Sequence, residues 1–176
     1  MLNRPSRPPT RCRWHLWLLA AVWFSGWQAA SAAVFVARAT TVPDGDTLWV
    51  QPSAGGAPRK LRLQGIDAPE ICQPGGEQSA LALRALVSHA NLHIEVRYAD
   101  DYGRGLARIT RDGQDIAATM VSAGHAWSYR WRRSLGPYAA QENAARQAKR
   151  GLFAQAAPEM PSDFRRRHRS CYPSKP

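Results

Sequence analysis

Five short runs of strand-forming residues, punctuated by turn formers, constrain this chain more than any other feature of its sequence. Residues 34 to 42 and 47 to 51 are rich in Val, Thr, Leu and Trp, and Pro43-Asp44-Gly45-Asp46 between them is turn chemistry. After the Gly55-Gly56 loop, the run from Arg59 to Ile66 alternates, with Leu61 and Leu63 on one face and Arg62 and Gln64 on the other. Leu92 to Tyr98 alternates again, and Leu106 to Arg111 ends at Asp112-Gly113, a strong turn signal.

Helical patterns interrupt and follow these runs. From Glu77 to about Ala90, Leu83, Leu86, Val87 and Ala90 recur at helical spacing and share one face. A second helix is expected from about Asp115 to Ala123, with Ala117, Met120 and Val121 inward and Gly124 as its stop. A third is expected from Pro137 to Arg150, with proline in its first turn and Gly151 as its C-cap. Short strands with helices between and after them imply an α+β domain on a small closed sheet, for which an OB-type barrel is one solution.

The chain of 176 residues divides into three parts. Residues 1–32 carry Arg4, Arg7, Arg11 and Arg13 without an acid, then an apolar run from Leu16 to Trp27, then Ala30-Ser31-Ala32. This is the pattern of a secretory signal peptide cleaved near Ala32 or Ala33, and the apolar run is short for a membrane span. Residues 33–157 form the expected domain, and residues 158–176, with four prolines and the run Arg165-Arg166-Arg167-His168-Arg169, read as an irregular basic tail. The expected product is an exported, periplasmic or extracellular monomer that is not inserted in a membrane.

The whole chain has 24 basic and 13 acidic residues, and it stays strongly basic once the leader is set aside. Such a surface serves solubility, adhesion to an anionic envelope, or attraction of a polyanion, and charge alone does not choose among these. Beyond the leader only Cys72 and Cys171 remain, and in an oxidising compartment they are expected to form a disulfide. Two thiols so far apart do not resemble a zinc site. Because Cys72 lies two residues after Glu70, a bridge to Cys171 would draw the basic tail toward Glu70.

Four segments bring acids and arginines to turns and strand ends: Asp44-Gly45-Asp46-Thr47, Leu61-Arg62-Leu63, Ile66-Asp67-Ala68-Pro69-Glu70 and Asp101-Tyr102-Gly103-Arg104-Gly105. Taken singly, each also fits a plain turn or a solvated bulge. Taken in this order and spacing, they closely resemble the staphylococcal nuclease family. The resemblance runs from about Thr41 to Phe153 and includes the third helix with its Arg-Gly-Leu-Phe ending.

That resemblance implies a five-stranded OB-fold barrel with three helices and a calcium-dependent nuclease acting on DNA and RNA to leave 3′-phosphates. It also implies roles. Asp46 and Asp67 would bind Ca²⁺ through their carboxylates and Ala68 through its backbone carbonyl, an all-oxygen set suited to a hard cation. Glu70 would activate the attacking water. Arg62 and Arg104 would clamp the scissile phosphate, since guanidinium pairs with phosphate oxygens and gains strength as charge develops. Tyr102 would contact a terminal phosphate or sugar, or else pack.

The chain departs from the family pattern at Asp101, where a lysine is familiar, and at Ala68, where a threonine is familiar. Trp127, Tyr129 and Trp131 offer faces for base stacking, with two of the three expected in the core. The rival from another class is a non-catalytic OB-fold domain that binds nucleic acid. Three carboxylates facing a polyanion count against it, because without a metal they repel phosphate. An envelope-associated structural protein is the remaining alternative.

Overall fold

A computed structural model describes residues 33–168 and residue 171, so the expected signal peptide lies outside the described residues. Strands β1 (Ala33–Thr41), β2 (Thr47–Pro52), β3 (Arg59–Leu63), β5 (Leu92–Ala99) and β6 (Gly105–Arg111) form one sheet. The sheet runs β3-β2-β1-β5-β6, and β3 also pairs with β6, so the five strands close into a barrel as expected for an α+β OB-fold. All these pairings are antiparallel except β3–β6, which is parallel.

Alternation fills the barrel. Leu48, Val50, Leu61, Leu63, Leu92, Ile94, Ala107 and Ile109 are each at most 1% exposed and form one cluster. Full burial of each larger aliphatic side chain contributes about 1.5–3 kcal/mol. Helices α1 (Gly76–Val87) and α2 (Ile116–Ser122) add Leu83, Val87, Ile116, Met120 and Val121 to that cluster. Asp115 caps α2, its side chain accepting the N–H of Ala118, which answers one of the free donors of a first helical turn.

Three two-residue strands complete the sheets: β7 (Gln114–Asp115) extends the barrel edge, while β4 (Ile66–Asp67) pairs with β8 (Trp127–Ser128). Helix α3 (Ala139–Gln147) is shorter than its pattern implied: Pro137 lies before it, and Lys149, at φ 51°, turns left-handed two residues before Gly151, which is left-handed too at φ 50°. Gly151 starts a 3-10 turn, Gly151–Ala154. A second apolar cluster joins α3 to this turn through Trp127, Ala145, Leu152 and Phe153. Beside it, buried Glu142 accepts from Arg130, Arg146 and the Ser128 N–H at 2.7, 2.8 and 3.0 Å.

Part of the expected irregular tail is ordered. Pro161–Arg167 forms a fourth helix, α4, with Pro161 in its first turn, so the count of three helices is also corrected. Met160 packs against the second cluster, Phe164 is buried, and Cys171 is bonded to Cys72 as expected. These anchors, rather than periodicity, order the segment. Among the described residues no helix is long and apolar enough to cross a membrane.

Candidate active site

The barrel's closing strand places Arg62. Across β2–β3 its register partner is Thr47, the neighbour of Asp46, and across β3–β6 its partner is Leu106, two residues beyond Arg104. The turn before β2 is tight, since a Cβ on Gly45 would lie 2.6 Å from the Ser79 Cβ and 2.8 Å from the Ala68 Cβ. The Asp46 backbone is tied to β3 by the Leu63 N–H, 2.8 Å from its carbonyl oxygen. Asp46 is thereby driven inward and is 4% exposed.

Arg62 spans two acids. Its Nη1 lies 2.5 Å from Asp46 Oδ1 and its Nη2 lies 2.9 Å from Asp67 Oδ1. Asp46 also accepts from the Thr47 hydroxyl at 3.1 Å and, on Oδ2, from the Ala68 N–H at 3.1 Å, which sets the Ala68 backbone against the carboxylate. Burial pushes the Asp46 carboxyl above its ordinary value and outweighs the opposing charge of Arg62. Burial disfavours the Arg62 charge, but Asp46 and Asp67 prevail and raise its pKa.

Glu70 sits on the turn after β4. Its N–H is held by Gln73 Oε1 at 3.2 Å, and the Gln73 amide in turn donates to the Glu159 carbonyl at 2.8 Å, linking this turn to the segment before α4. Gly76 presses beneath, where a Cβ would come within 1.9 Å of the Glu70 carbonyl oxygen. Arg104 lies across the groove on the loop before β6, its Nε 2.7 Å from Asp100 Oδ2. Tyr102 is 84% exposed, with its ring centroid 5.3 Å from the Arg104 Cζ, so it does not pack into the core.

The structure thus brings Asp46, Asp67, Ala68, Arg62 and Glu70 into one contiguous network. Arg62, Glu70, Arg104 and Tyr102 line one groove of about 1550 Å³. Tyr129 and Trp131 line it too, and they are 42% and 63% exposed, so only Trp127 of that aromatic trio belongs to the core. The expectation of two core aromatics is corrected: β8 buries Trp127 and ends at Ser128, releasing the next residues to the surface.

Sequence reasoning missed Arg165. From α4 its Nη1 lies 3.1 Å from Asp67 Oδ1 and 2.9 Å from Glu70 Oε1, and its Nη2 lies 3.0 Å from Asp67 Oδ2. The one signal in the sequence was the pairing of Cys72 with Cys171, which brings the basic segment to Glu70 without saying which arginine arrives. Desolvation opposes the Arg165 charge, but its bonds to Asp67 and Glu70 prevail and raise its pKa.

Chemically, the site offers two buried carboxylates and an adjacent backbone, all oxygen donors, which fit a hard divalent cation completed by water. Among the described residues no group of three or more His, Cys, Asp and Glu side chains is gathered for a metal.

The family model described as staphylococcal nuclease homologue matches residues 60–155. An uncharacterized endonuclease of Escherichia coli O157:H7 is 36% identical over 131 residues, covering 74% of this chain and 84% of the relative. An uncharacterized endonuclease of Haemophilus influenzae is 37% identical over 148 residues, covering 83% of this chain and 82% of the relative. A probable staphylococcal-like nuclease of Oryza sativa subsp. japonica is 37% identical over 111 residues, 63% of this chain but 30% of its own length. The chain therefore spans under a third of that plant protein.

Proposed function

Since this chain belongs to the staphylococcal nuclease homologue family, we propose that it is a nuclease that hydrolyses phosphodiester bonds of DNA and RNA, uses Ca²⁺ and leaves 3′-phosphates. The observation that carries this reading is the Arg62 bridge between Asp46 and Asp67, with Glu70 and Arg104 on the same groove. A module that only binds nucleic acid has no use for buried acids beside a phosphate path.

Asp46, Asp67 and the Ala68 carbonyl would hold the cation, which when bound polarises the phosphoryl group and offsets its charge. Glu70 acts as the base. Its Oε1 is held by Arg165, whereas Oε2 accepts no hydrogen bond among the described residues and is the oxygen available to take a proton from water. The water oxygen bonds to phosphorus, the bond from phosphorus to the 5′-oxygen breaks, and that oxygen leaves as an alcohol after taking a proton from solvent water, to which Glu70 returns its own.

Arg62 and Arg104 stabilise the extra charge on the phosphoryl oxygens as that bond forms. Asp100 keeps Arg104 in a single geometry, which reduces the ordering required when substrate arrives. Exposed Tyr102, Tyr129 and Trp131 supply aromatic faces at the groove for sugars or bases. The proposal includes export as a monomer, and the Cys72–Cys171 bridge supports an oxidising destination.

The test is release of acid-soluble nucleotides from single-stranded DNA by the purified protein, with Ca²⁺ or with chelator, alongside Glu70→Gln. Release that needs Ca²⁺ and is lost in the variant is expected. Tight binding without release would replace this reading with the non-catalytic one.

A further inference from the structure

Asp67 lies between two guanidinium groups, one five residues before it and one from the far side of the chain in α4. Arg62 reaches Oδ1 from β3, and Arg165 reaches both oxygens from α4 while also holding Glu70. Oδ1 therefore already accepts two hydrogen bonds and Oδ2 accepts one. A carboxylate has about four acceptor positions, so three of those on Asp67 are taken before any cation arrives.

The position of Arg165 is built into the fold. On one side of it, Phe164 is buried and stacks on His168 with ring centroids 4.3 Å apart. On the other, Cys171 is tied to Cys72, with the two Cα atoms 5.6 Å apart, and Cys72 follows Glu70 by two residues. The residue that grips Glu70 and the loop that carries Glu70 are thus stapled together. Arg165 itself stays 43% exposed at its side chain, so it can swing away without unfolding the helix that bears it.

Charge gives the contact its meaning. Asp46 and Asp67 share Arg62, Asp67 and Glu70 share Arg165, and these two arginines are the cations that hydrogen-bond the three carboxylates. A divalent cation ligated by Asp67 needs the lone pairs that Arg165 occupies, and its charge repels a guanidinium in contact with the same carboxylate.

We propose that Arg165 and the divalent cation compete for Asp67, so that Arg165 is a positioning residue that holds Asp67 and Glu70 together in the metal-free protein and sets the metal concentration at which the site loads. This rests on the reading of Asp46 and Asp67 as metal ligands. Metal loading releases Arg165 from Asp67. In the groove it shares with Arg62 and Arg104, the freed guanidinium then adds to the positive field that meets a polyanion.

The experiment is calorimetric titration of Ca²⁺ alone, without nucleic acid and at fixed ionic strength, into the protein with its Cys72–Cys171 bridge intact and into Arg165→Gln and Arg165→Lys. Arg165→Gln should bind Ca²⁺ more tightly, by several-fold to about tenfold. Arg165→Lys, which keeps a charge but loses the forked contact, should fall between the two. A purely structural role for Arg165 would alter thermal unfolding without tightening Ca²⁺ binding. Unchanged or weaker Ca²⁺ affinity in Arg165→Gln overturns the competition. If that result comes with Ca²⁺-dependent nuclease activity intact, the inference fails alone; if none of the three proteins binds Ca²⁺, the metal reading beneath it fails as well.

Discussion

Asp100 fixes Arg104 through backbone and side chain together: its Oδ1 accepts the Arg104 N–H at 2.9 Å, and its Oδ2 accepts the Arg104 Nε at 2.7 Å. The Tyr102 N–H gives the carboxylate its third bond, the second on Oδ1, at 3.0 Å. The acid therefore shapes the loop and orients its guanidinium. Replacing Asp100 by Asn should lower kcat/KM by roughly tenfold through looser orientation, whereas Arg104→Ala should cost on the order of 10³. Steady-state kinetics on single-stranded DNA make the comparison. Wild-type rates in Asp100→Asn would show that Arg104 orders itself without help.

The same loop has a pH signature. Burial works to raise the Asp100 pKa, but bonds from Arg104 and Tyr102 and the Arg104 charge outweigh it and hold the carboxyl below its ordinary value. For a depressed acid, the stabilisation is present above the unfolded value of about 3.9 and is lost as pH falls through the lower folded value. A carbon-detected NMR titration should find Asp100 still ionised at the pH where a free aspartate is half protonated. A midpoint at or above the ordinary value contradicts this.

Arg62→Ala combines two losses. It removes a phosphate clamp, expected to cost on the order of 10³ in rate, and it leaves Asp46 and Asp67 facing each other without their shared cation. Breaking such a buried pairing should destabilise the fold by about 3 kcal/mol in the absence of metal. Added Ca²⁺ should raise the thermal midpoint of Arg62→Ala more than that of the wild type, because the cation then relieves a larger repulsion. Equal shifts would mean that the two acids do not share the ion.

Gly76→Ala tests how the Glu70 turn is held. The new Cβ would meet the Glu70 carbonyl oxygen at 1.9 Å and the Ile71 Cα at 2.9 Å, both backbone atoms that cannot rotate away. Overpacking of this kind costs about 1–3 kcal/mol. Because the displaced segment carries the proposed base, kcat should fall at least about tenfold in folded enzyme. Unaltered kcat with lowered stability would show that Glu70 tolerates movement of its own backbone.

Tyr138 supplies an alkaline marker. Burial, then the nearby Asp115 charge and the hydrogen bond from the phenol to Asp115 Oδ2, push its pKa up to about 12. A raised acid pKa means that the folded state keeps a proton the unfolded chain loses, so this contribution is intact below pH ~10 and fades as pH rises through the folded value. Ultraviolet difference titration should show one phenol ionising near 12 that disappears in Tyr138→Phe.

The barrel strands and α1 were legible because their signals are local: alternation in Arg59–Leu63, and the Leu83, Leu86, Val87 spacing in the helix. Strands β4 and β8 were not, since a ladder of two residues has no period to detect. Helix α4 was hidden for a different reason. It buries Pro161 and Phe164 but carries three consecutive arginines, so its order comes from docking and from the cysteine bridge rather than from an amphipathic repeat.

The acids and arginines of the site were visible through motif order, because Asp46, Arg62, Asp67 and Glu70 lie on adjoining turns and strands. Arg165 was not, because it sits among chemically equivalent neighbours. Arg166 turns instead to Asp163, and Arg167 to Glu159. Which of them meets Asp67 depends on the rotation of a helix docked by Phe164, a tertiary fact that no window of sequence contains. The trio Trp127, Tyr129 and Trp131 misled for a similar reason, since aromatic character alone does not reveal that the chain has left the sheet after Ser128.

The parallel contact between β3 and β6 joins the two ends of the five-strand order, and its pairs, Leu61 with Gly105 and Arg62 with Leu106, include Arg62 and lie beside Arg104. The clasp that turns a curled sheet into a cylinder is thus also where the groove's two sides become neighbours. Before that clasp shuts, Arg62 can hold Asp46 and Asp67, but Arg104 has no fixed place opposite it. Appearance of the groove then reports that the whole cylinder is complete, and opening along that single seam abolishes the groove while most of the sheet is still paired.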